Sequence, residues 1–319
     1  MKVLIVTNMY PDATRPINGI FIAEQIAAMK KDHAEVDFDV CYVDGGKGKL
    51  EYLKSMAYVN RKIRRGGYDL VHIHFGLSGL YMLMPFRQKV PTVVTFHGSD
   101  IQPAARNGRL TVGISRYVAR HADVCVTLNG YMDGLVRQMN KNTHIVPCAV
   151  DTDIFKPTAE RKASPTKRII FPCNHKMAVK NYPLFCRVRE LLASRYGIES
   201  EEIEMAGLSR AQVAHVMNNA DLLLMTSISE GSPQAVKEAL ACNLPVVSTP
   251  VGDVATLVSG VKDCYVATSS DADELARLAA ESLSGNGAGI KGSEKIKSMQ
   301  LDERSVADRI FHIYEQSVC

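Results

Sequence analysis

The sequence predicts an α/β protein made of two Rossmann-like domains, each a parallel sheet flanked by helices. Three observations carry that expectation. Short apolar runs of strand length alternate with helix-length stretches through the first half, as fully buried parallel strands require. A segment rich in Pro, Ser, Thr and charge, Lys156 to Lys167, then interrupts the pattern, which restarts at Arg168. Finally, 319 residues with 46% hydrophobic and 23% charged side chains suffice for two such domains.

Composition excludes several classes of function. A formal net charge of +4 is too small to argue for nucleic acid, so none is expected as a partner. The 8 cysteines are scattered without Cys-x-x-Cys pairs, which fits reduced thiols in a cytoplasmic protein better than disulfides or zinc. The opening MKVLIVTNMY has too short an apolar run for a signal peptide and leads straight into a strand. No run approaches the roughly 18 apolar residues that span a bilayer, so any membrane contact is expected to be peripheral.

In chain order, Val3 to Thr7 reads as the first strand and Phe21 to Lys30 as the first helix. The polar loop between them contains Gly19, which can bring backbone N–H groups close to an anion or a sugar near a helix start. Asp37 to Val43 is a second strand, Gly45 to Lys49 a turn, and Leu50 to Gly67 a helix carrying Lys54, Arg61, Lys62, Arg64 and Arg65. Such a run is either a solvated face or a surface resting on anionic lipid, at about 1 kcal/mol per charge near the membrane. Asp69 to Phe75 is strand-like, with His72 and His74 on one face. No third ligand with metal-site spacing follows, so they read as core or cleft-edge histidines. Strand Thr92 to Phe96 ends in His97-Gly98-Ser99-Asp100, which puts an imidazole at the strand's carboxyl end, where open α/β sheets bind ligands. A helix from Val112 to Ala122, strand Asp123 to Leu128 and a helix capped by Asn129 complete the first half.

Beyond the linker come strand Arg168 to Cys173, a helix opening at NYPLF and running to Tyr196, strand Glu202 to Gly207 and helix Ser209 to Asn219. A β-α-β unit then follows. The run Asp221 to Thr226 feeds a turn holding Glu230 and Gly231, and Ser232 and Pro233 read as N-cap and first turn of helix Gln234 to Cys242. Pro245 to Thr249 is the next strand. The turn at Gly252 to Val254, strand Cys264 to Ala267, a loop over Leu283 to Lys291 and a terminal helix Arg304 to Gln316 finish the chain. The turn after strand 169–173 carries Lys176 and Lys180, positive charge where a nucleotide diphosphate would sit.

The segment SEGSPQAVKEALACNLPVVSTPV, residues 229–251, resembles the signature of retaining glycosyltransferases of family 4, in which two glutamates are separated by seven residues. Here the match is Glu230 and Glu238. The loop YP…P.NG.F…Q around Gly19 and the segment His97 to Asp100 are similar to two further family features. The resemblance implies the GT-B fold, with the sheets facing each other across an interdomain cleft. It would comprise an acceptor domain over 1–157, a donor domain over 158–302 and a terminal helix over 303–319 crossing back to the first domain. It also implies a hexosyltransferase that moves a sugar from a UDP- or GDP-sugar to a glycan or lipid-linked hydroxyl, retaining configuration, with no metal and no cofactor beyond the nucleotide-sugar substrate. The expected site follows from it. His97, Lys180 and Glu230 would serve the chemistry. Gly19, Lys176, Lys180, Glu230, Gly231, Ser232, Pro233, Gln234, Ala235 and Glu238 would bind donor, with Asn18 and Asp100 on the acceptor side. Asp151-Thr152-Asp153 falls in a VPxxVDxxxF segment that looks like the family's domain crossover, so turn and capping duty is expected of it and not metal binding. Family members carry an arginine shortly before the lysine at 180, where this chain reads His175-Lys176-Met177. Either Lys176 substitutes, without arginine's bidentate fork, or donor binding is weaker. An epimerase or phosphorylase of the same fold, or a non-catalytic sugar-nucleotide-binding subunit, also fits these residues.

Overall fold

A computed structural model describes residues 1–102, 108–158, 166–285 and 289–318. It divides into two units, Met1–Ala149 with Glu303–Cys319, and Val150–Asp302.

The first unit contains strands β1 (Lys2–Thr7), β2 (Asp37–Tyr42), β3 (Leu70–His74), β4 (Thr92–Thr95), β5 (Val124–Thr127) and β6 (Thr143–Ile145). They pair in the order β2-β1-β3-β4-β5-β6, every pair parallel. Helices α1 (Ile20–Asp32), α2 (Lys49–Gly66), α3 (Gly108–His121), α4 (Gly130–Val136) and α11 (Glu303–Val318) flank the sheet. Successive strand residues point to opposite faces. Val3 and Ile5 therefore join a core with Ile22, Met29, Ile310 and Tyr314. Leu4 and Val6 join another with Val59, Ile63, Val118 and Met132.

In the second unit, β7 (Lys167–Phe171), β8 (Ser200–Glu204), β9 (Leu222–Met225), β10 (Val246–Ser248) and β11 (Tyr265–Val266) form a parallel sheet ordered β11-β10-β9-β7-β8. Its helices are α5 (Tyr182–Tyr196), α6 (Arg210–Asn219), α7 (Gln234–Ala241), α8 (Val254–Val258), α9 (Ala272–Ser284) and α10 (Gly292–Ser298). Leu223 and Met225 face one core while Leu222 and Leu224 face the other.

Residues 150–157, which the family resemblance assigns to the first domain, lie in the second unit, where Val150 and Phe155 are core residues. The Lys156 to Lys167 linker falls largely outside the described residues. Asp151 Oδ1 accepts from the backbone N–H groups of Asp153 and Ile154, a turn-forming role. Three expectations need correction. Strand β8 lies two or three residues earlier than expected, because this edge strand, Ser-Glu-Glu-Ile-Glu, has no apolar run to read. The stretch assigned as loop from Leu283 begins inside α9, and 286–288 lie outside the described residues. The N-cap of α7 is Pro233, not Ser232, because Pro233 keeps an extended ψ of 118° and Gln234 is the first helical residue. The seven described cysteines are free thiols, and no described helix is long and apolar enough to cross a membrane.

Candidate functional site

In the second unit the expected donor-binding residues gather at the carboxyl ends of β7 and β9. The chain leaves β7 through a short 3-10 turn, Ala178–Lys180, and Asn181 takes the left-handed conformation that opens α5. This turn is sewn to the loop after β9: Ile228 N–H donates to Val179 O at 2.8 Å, and the Thr226 hydroxyl donates to Lys180 O at 2.9 Å. The stitching delivers Lys180 to Glu230. Lys180 Nζ lies 2.6 Å from Glu230 Oε1, which also accepts from the Ser227 hydroxyl at 2.7 Å. Two residues widely separated in sequence thus form a half-buried ion pair.

Gly231 is held from behind. Gly252 has φ +55°, and a Cβ there would stand 2.4 Å from Gly231 O. Only glycine allows the turn after β10 to lie against the turn before α7. Gln234 and Ala235 are half-buried in the first turn of α7. One turn further on, Glu238 is 4% exposed, and its Oε1 accepts from Arg210 Nη1 at 2.7 Å. The Arg210 guanidinium also sits 4.5 Å above the Phe155 ring, a cation–π contact. Lys237 is fully buried beside Asp253, whose carboxyl is raised by burial while the lysine's charge opposes that rise.

Lys176 is exposed. Its neighbour His175, where the resemblance leads to the expectation of an arginine, turns back to the sheet edge. His175 Nε2 lies 2.5 Å from Glu202 Oε1, and the ring stacks on Tyr182 at 3.9 Å. The guanidinium that the second unit does bring to a signature glutamate is Arg210. Sequence reasoning missed it because it stands 28 positions before Glu238, at the start of a helix whose capping box, Ser209 with Gln212, says nothing of Arg210.

In the first unit, Gly19 precedes α1 with φ +66°, and a Cβ there would lie 2.5 Å from the Met9 carbonyl. The loop after β1 therefore packs on its own return. Asn18 Nδ2 reaches Tyr10 O at 3.4 Å. His97 stands just past β4, with the Phe21 ring 5.0 Å away and its Nε2 3.2 Å from His74 Nδ1. Asp100, an acceptor-side candidate, is fully buried and clamps the loop. It accepts from the N–H groups of His97 and Gly98 at 3.0 Å and from Gly76 at 2.9 Å. Burial raises its carboxyl to about 6, against the pull of those donors.

His72 and His74 are both core residues. His72 meets the Tyr314 hydroxyl at 2.6 Å and the Thr95 hydroxyl at 2.8 Å. Among the described residues no cluster of three or more His, Cys, Asp or Glu side chains is placed to hold a metal ion. On α2, Lys62 pairs with Asp39 at 2.9 Å, whereas Lys54, Arg61, Arg64 and Arg65 are exposed. A surface depression of about 490 Å³ lined by Arg87, Lys89, His121 and Asp123 lies at the amino ends of β4 and β5 and includes none of the candidate residues.

Residues 3–154 match the family Glycosyltransferase Family 4, and residues 183–284 match Glycosyl transferases group 1. A relative in Bacillus subtilis, named as the teichuronic acid biosynthesis glycosyltransferase TuaC, is 21% identical over 81% of this chain and 83% of its own length. Among solved structures, sucrose-phosphate synthase from Thermosynechococcus elongatus superposes with a TM-score of 0.76 at 15% identity, over 99% of this chain and 98% of the other. Anabaena Alr3699/HepE in complex with UDP-glucose superposes at 0.69 and 14% identity, over 99% and 100%.

Proposed function

We propose that this chain, whose residues 3–154 and 183–284 match two glycosyltransferase families and which has the GT-B fold, moves a sugar from a nucleotide-sugar to an acceptor hydroxyl. The donor is a UDP- or GDP-sugar, and the acceptor is a glycan or lipid-linked saccharide of a polysaccharide pathway. Both assignments draw on the names of the relatives, TuaC and the UDP-glucose complex of Alr3699/HepE.

One observation carries the reading: each signature glutamate faces a cation, Glu230 with Lys180 and Glu238 with Arg210. A nucleotide-sugar offers hydroxyls to the carboxylates and phosphate oxygens to the cations. Both partners of a pair can then exchange onto the ligand without leaving a buried charge alone. Glu238 takes the ribose hydroxyls, and Glu230 orients the donor sugar. Lys180, together with Lys176, stabilises charge on the departing diphosphate. His97 contacts the transferred sugar or a phosphate oxygen.

In the reaction the bond from the anomeric carbon to the diphosphate oxygen breaks, and a bond to the acceptor oxygen forms on the same face. The acceptor's proton passes to the departing diphosphate. Configuration is retained, and no metal is needed.

Thermal-shift screening with UDP-, GDP- and ADP-sugars tests the donor class, and stabilisation by at least one UDP- or GDP-sugar is expected. If none stabilises the protein, the reading fails. NMR of the product reports the anomeric configuration, and inversion would overturn the retaining step. Activity is expected to survive a chelator. Turnover of a UDP-sugar without acceptor would instead identify an epimerase, and a requirement for free phosphate a phosphorylase.

We also propose peripheral contact with anionic lipid through α2, whose exposed residues run from Leu50 and Leu53, at 61% and 59% exposure, to Arg61, Arg64 and Arg65. Salt-sensitive co-sedimentation with anionic vesicles, lost on replacing the three arginines, is the expected result.

A further inference from the structure

We propose that His74 is a positioning residue that fixes where the imidazole of His97 carries its proton, holding it on Nδ1. The bearing on catalysis rests on the function proposed above, whereas the protonation site itself does not.

The two rings meet edge to edge. Their planes differ by 22° with centroids 5.4 Å apart, and His74 Nδ1 lies 3.2 Å from His97 Nε2, as an in-plane N–H···N bond requires. His74 is 1% exposed at the end of β3. Its other nitrogen, Nε2, is buried and has no hydrogen-bond partner among the described residues. The adjacent His72, its ring 4.2 Å away, has both nitrogens engaged with Tyr314 and Thr95. Burial, with the neighbouring imidazoles, also holds His74 neutral.

A neutral imidazole has one N–H and one lone pair. If His74 accepted from His97, its own N–H would sit on Nε2, a buried donor with nothing to receive it. If His74 donates from Nδ1, only a lone pair is left facing the core. Orphaned buried N–H groups are the rarer of the two in folded proteins. The second arrangement follows: His74 Nδ1–H donates to His97 Nε2, and the remaining proton of a neutral His97 is on Nδ1. His97 is thereby a donor at Nδ1, the form needed to hydrogen-bond a sugar or phosphate oxygen. A histidine with the opposite assignment would present a lone pair there and repel that oxygen.

Long-range ¹H–¹⁵N spectra of the full chain with ¹⁵N-histidine read the tautomer directly, and His97→Gln assigns the signal. The wild type is expected to show His97 protonated at Nδ1. His74→Leu should release it to the Nε2–H form, while His74→Asn, whose amide can donate from nearly the same point, should restore Nδ1–H. In donor turnover, His74→Leu should lower kcat at least tenfold with KM within threefold, and His74→Asn should recover part of the loss. An Nε2–H signal in the wild type, or an unchanged tautomer in a folded His74→Leu protein, would overturn the proposal. The wild-type spectrum needs no variant, so poor folding of His74→Leu does not remove the test. An Nδ1–H signal in a protein that binds no nucleotide-sugar would sink the transferase reading and leave this one standing.

Discussion

At the scale of single residues, the Lys180–Glu230 pair is the most exposed to test. Its side chains are 18% and 15% exposed. Lys180→Ala is expected to lower kcat by about 10²–10³, the usual cost of losing a donor that stabilises developing charge. The melting temperature should change by only a few degrees, because Ser227 still engages Glu230. A kcat within threefold of wild type would remove Lys180 from the chemistry.

Acid stability is a second residue-level consequence. Burial pushes His72 down to about 3 and His74 well below its ordinary value. Between pH 6 and 4 the unfolded chain protonates both, while burial opposes protonation of both in the folded chain. Stability is therefore full above the ordinary histidine range and falls as pH falls, by roughly tenfold in the folding constant per pH unit for His72 and in the same direction for His74. Asp100, raised to about 6, acts oppositely over the same window, since there the folded chain holds a proton that the unfolded chain has lost. The slopes of His72 and Asp100 largely offset each other, so His74 sets the net direction for these three groups, a loss of stability on acidification measurable by urea denaturation at pH 6 and pH 4. A flat or rising stability on acidification would contradict it. Glu230 and Glu238 were legible in the sequence because the helix and its flanking strands have a recognisable wording, and Lys180 because NYPLF follows it. Arg210 was not, because only folding brings α6 against α7.

At the scale of elements, turn packing decides the donor side. Gly252→Ala would drive a methyl into the Gly231 carbonyl at a backbone conformation with φ +55°, where a side chain is strained. A loss of about 1–3 kcal/mol is expected, seen as a melting temperature lower by several degrees, with donor binding weakened alongside. Unchanged affinity and stability would show that the two turns are not coupled. The central strands were readable as apolar runs because both of their faces are covered. The edge strand β8 was displaced and β6 was not anticipated, since neither has a buried pattern. Helices α9 and α10 went unassigned, although Asp271 caps α9 by accepting from Glu274 N–H and the helix buries Leu275, Leu278, Ala279 and Leu283. That cap and that spacing were present in the sequence.

At the scale of the molecule, the first unit is discontinuous in sequence: α11 follows the whole second unit and yet belongs to the first. Val306, Ile310, Ile313 and Tyr314 are buried in its core, and Tyr314 satisfies His72. Four such side chains at about 1.5–3 kcal/mol each match the net stability of a typical domain. Deleting 303–318 should therefore unfold the first unit while the second survives, which limited proteolysis can follow. Persistence of a protease-resistant first unit would contradict that dependence. During synthesis the same arrangement sets an order of events. A ribosome adding roughly 5–20 residues per second needs on the order of ten seconds to pass from Ala149 to Glu303. Throughout that interval the nascent first sheet has one face without its final helix, and the uninterrupted second unit is the first to have all of its parts.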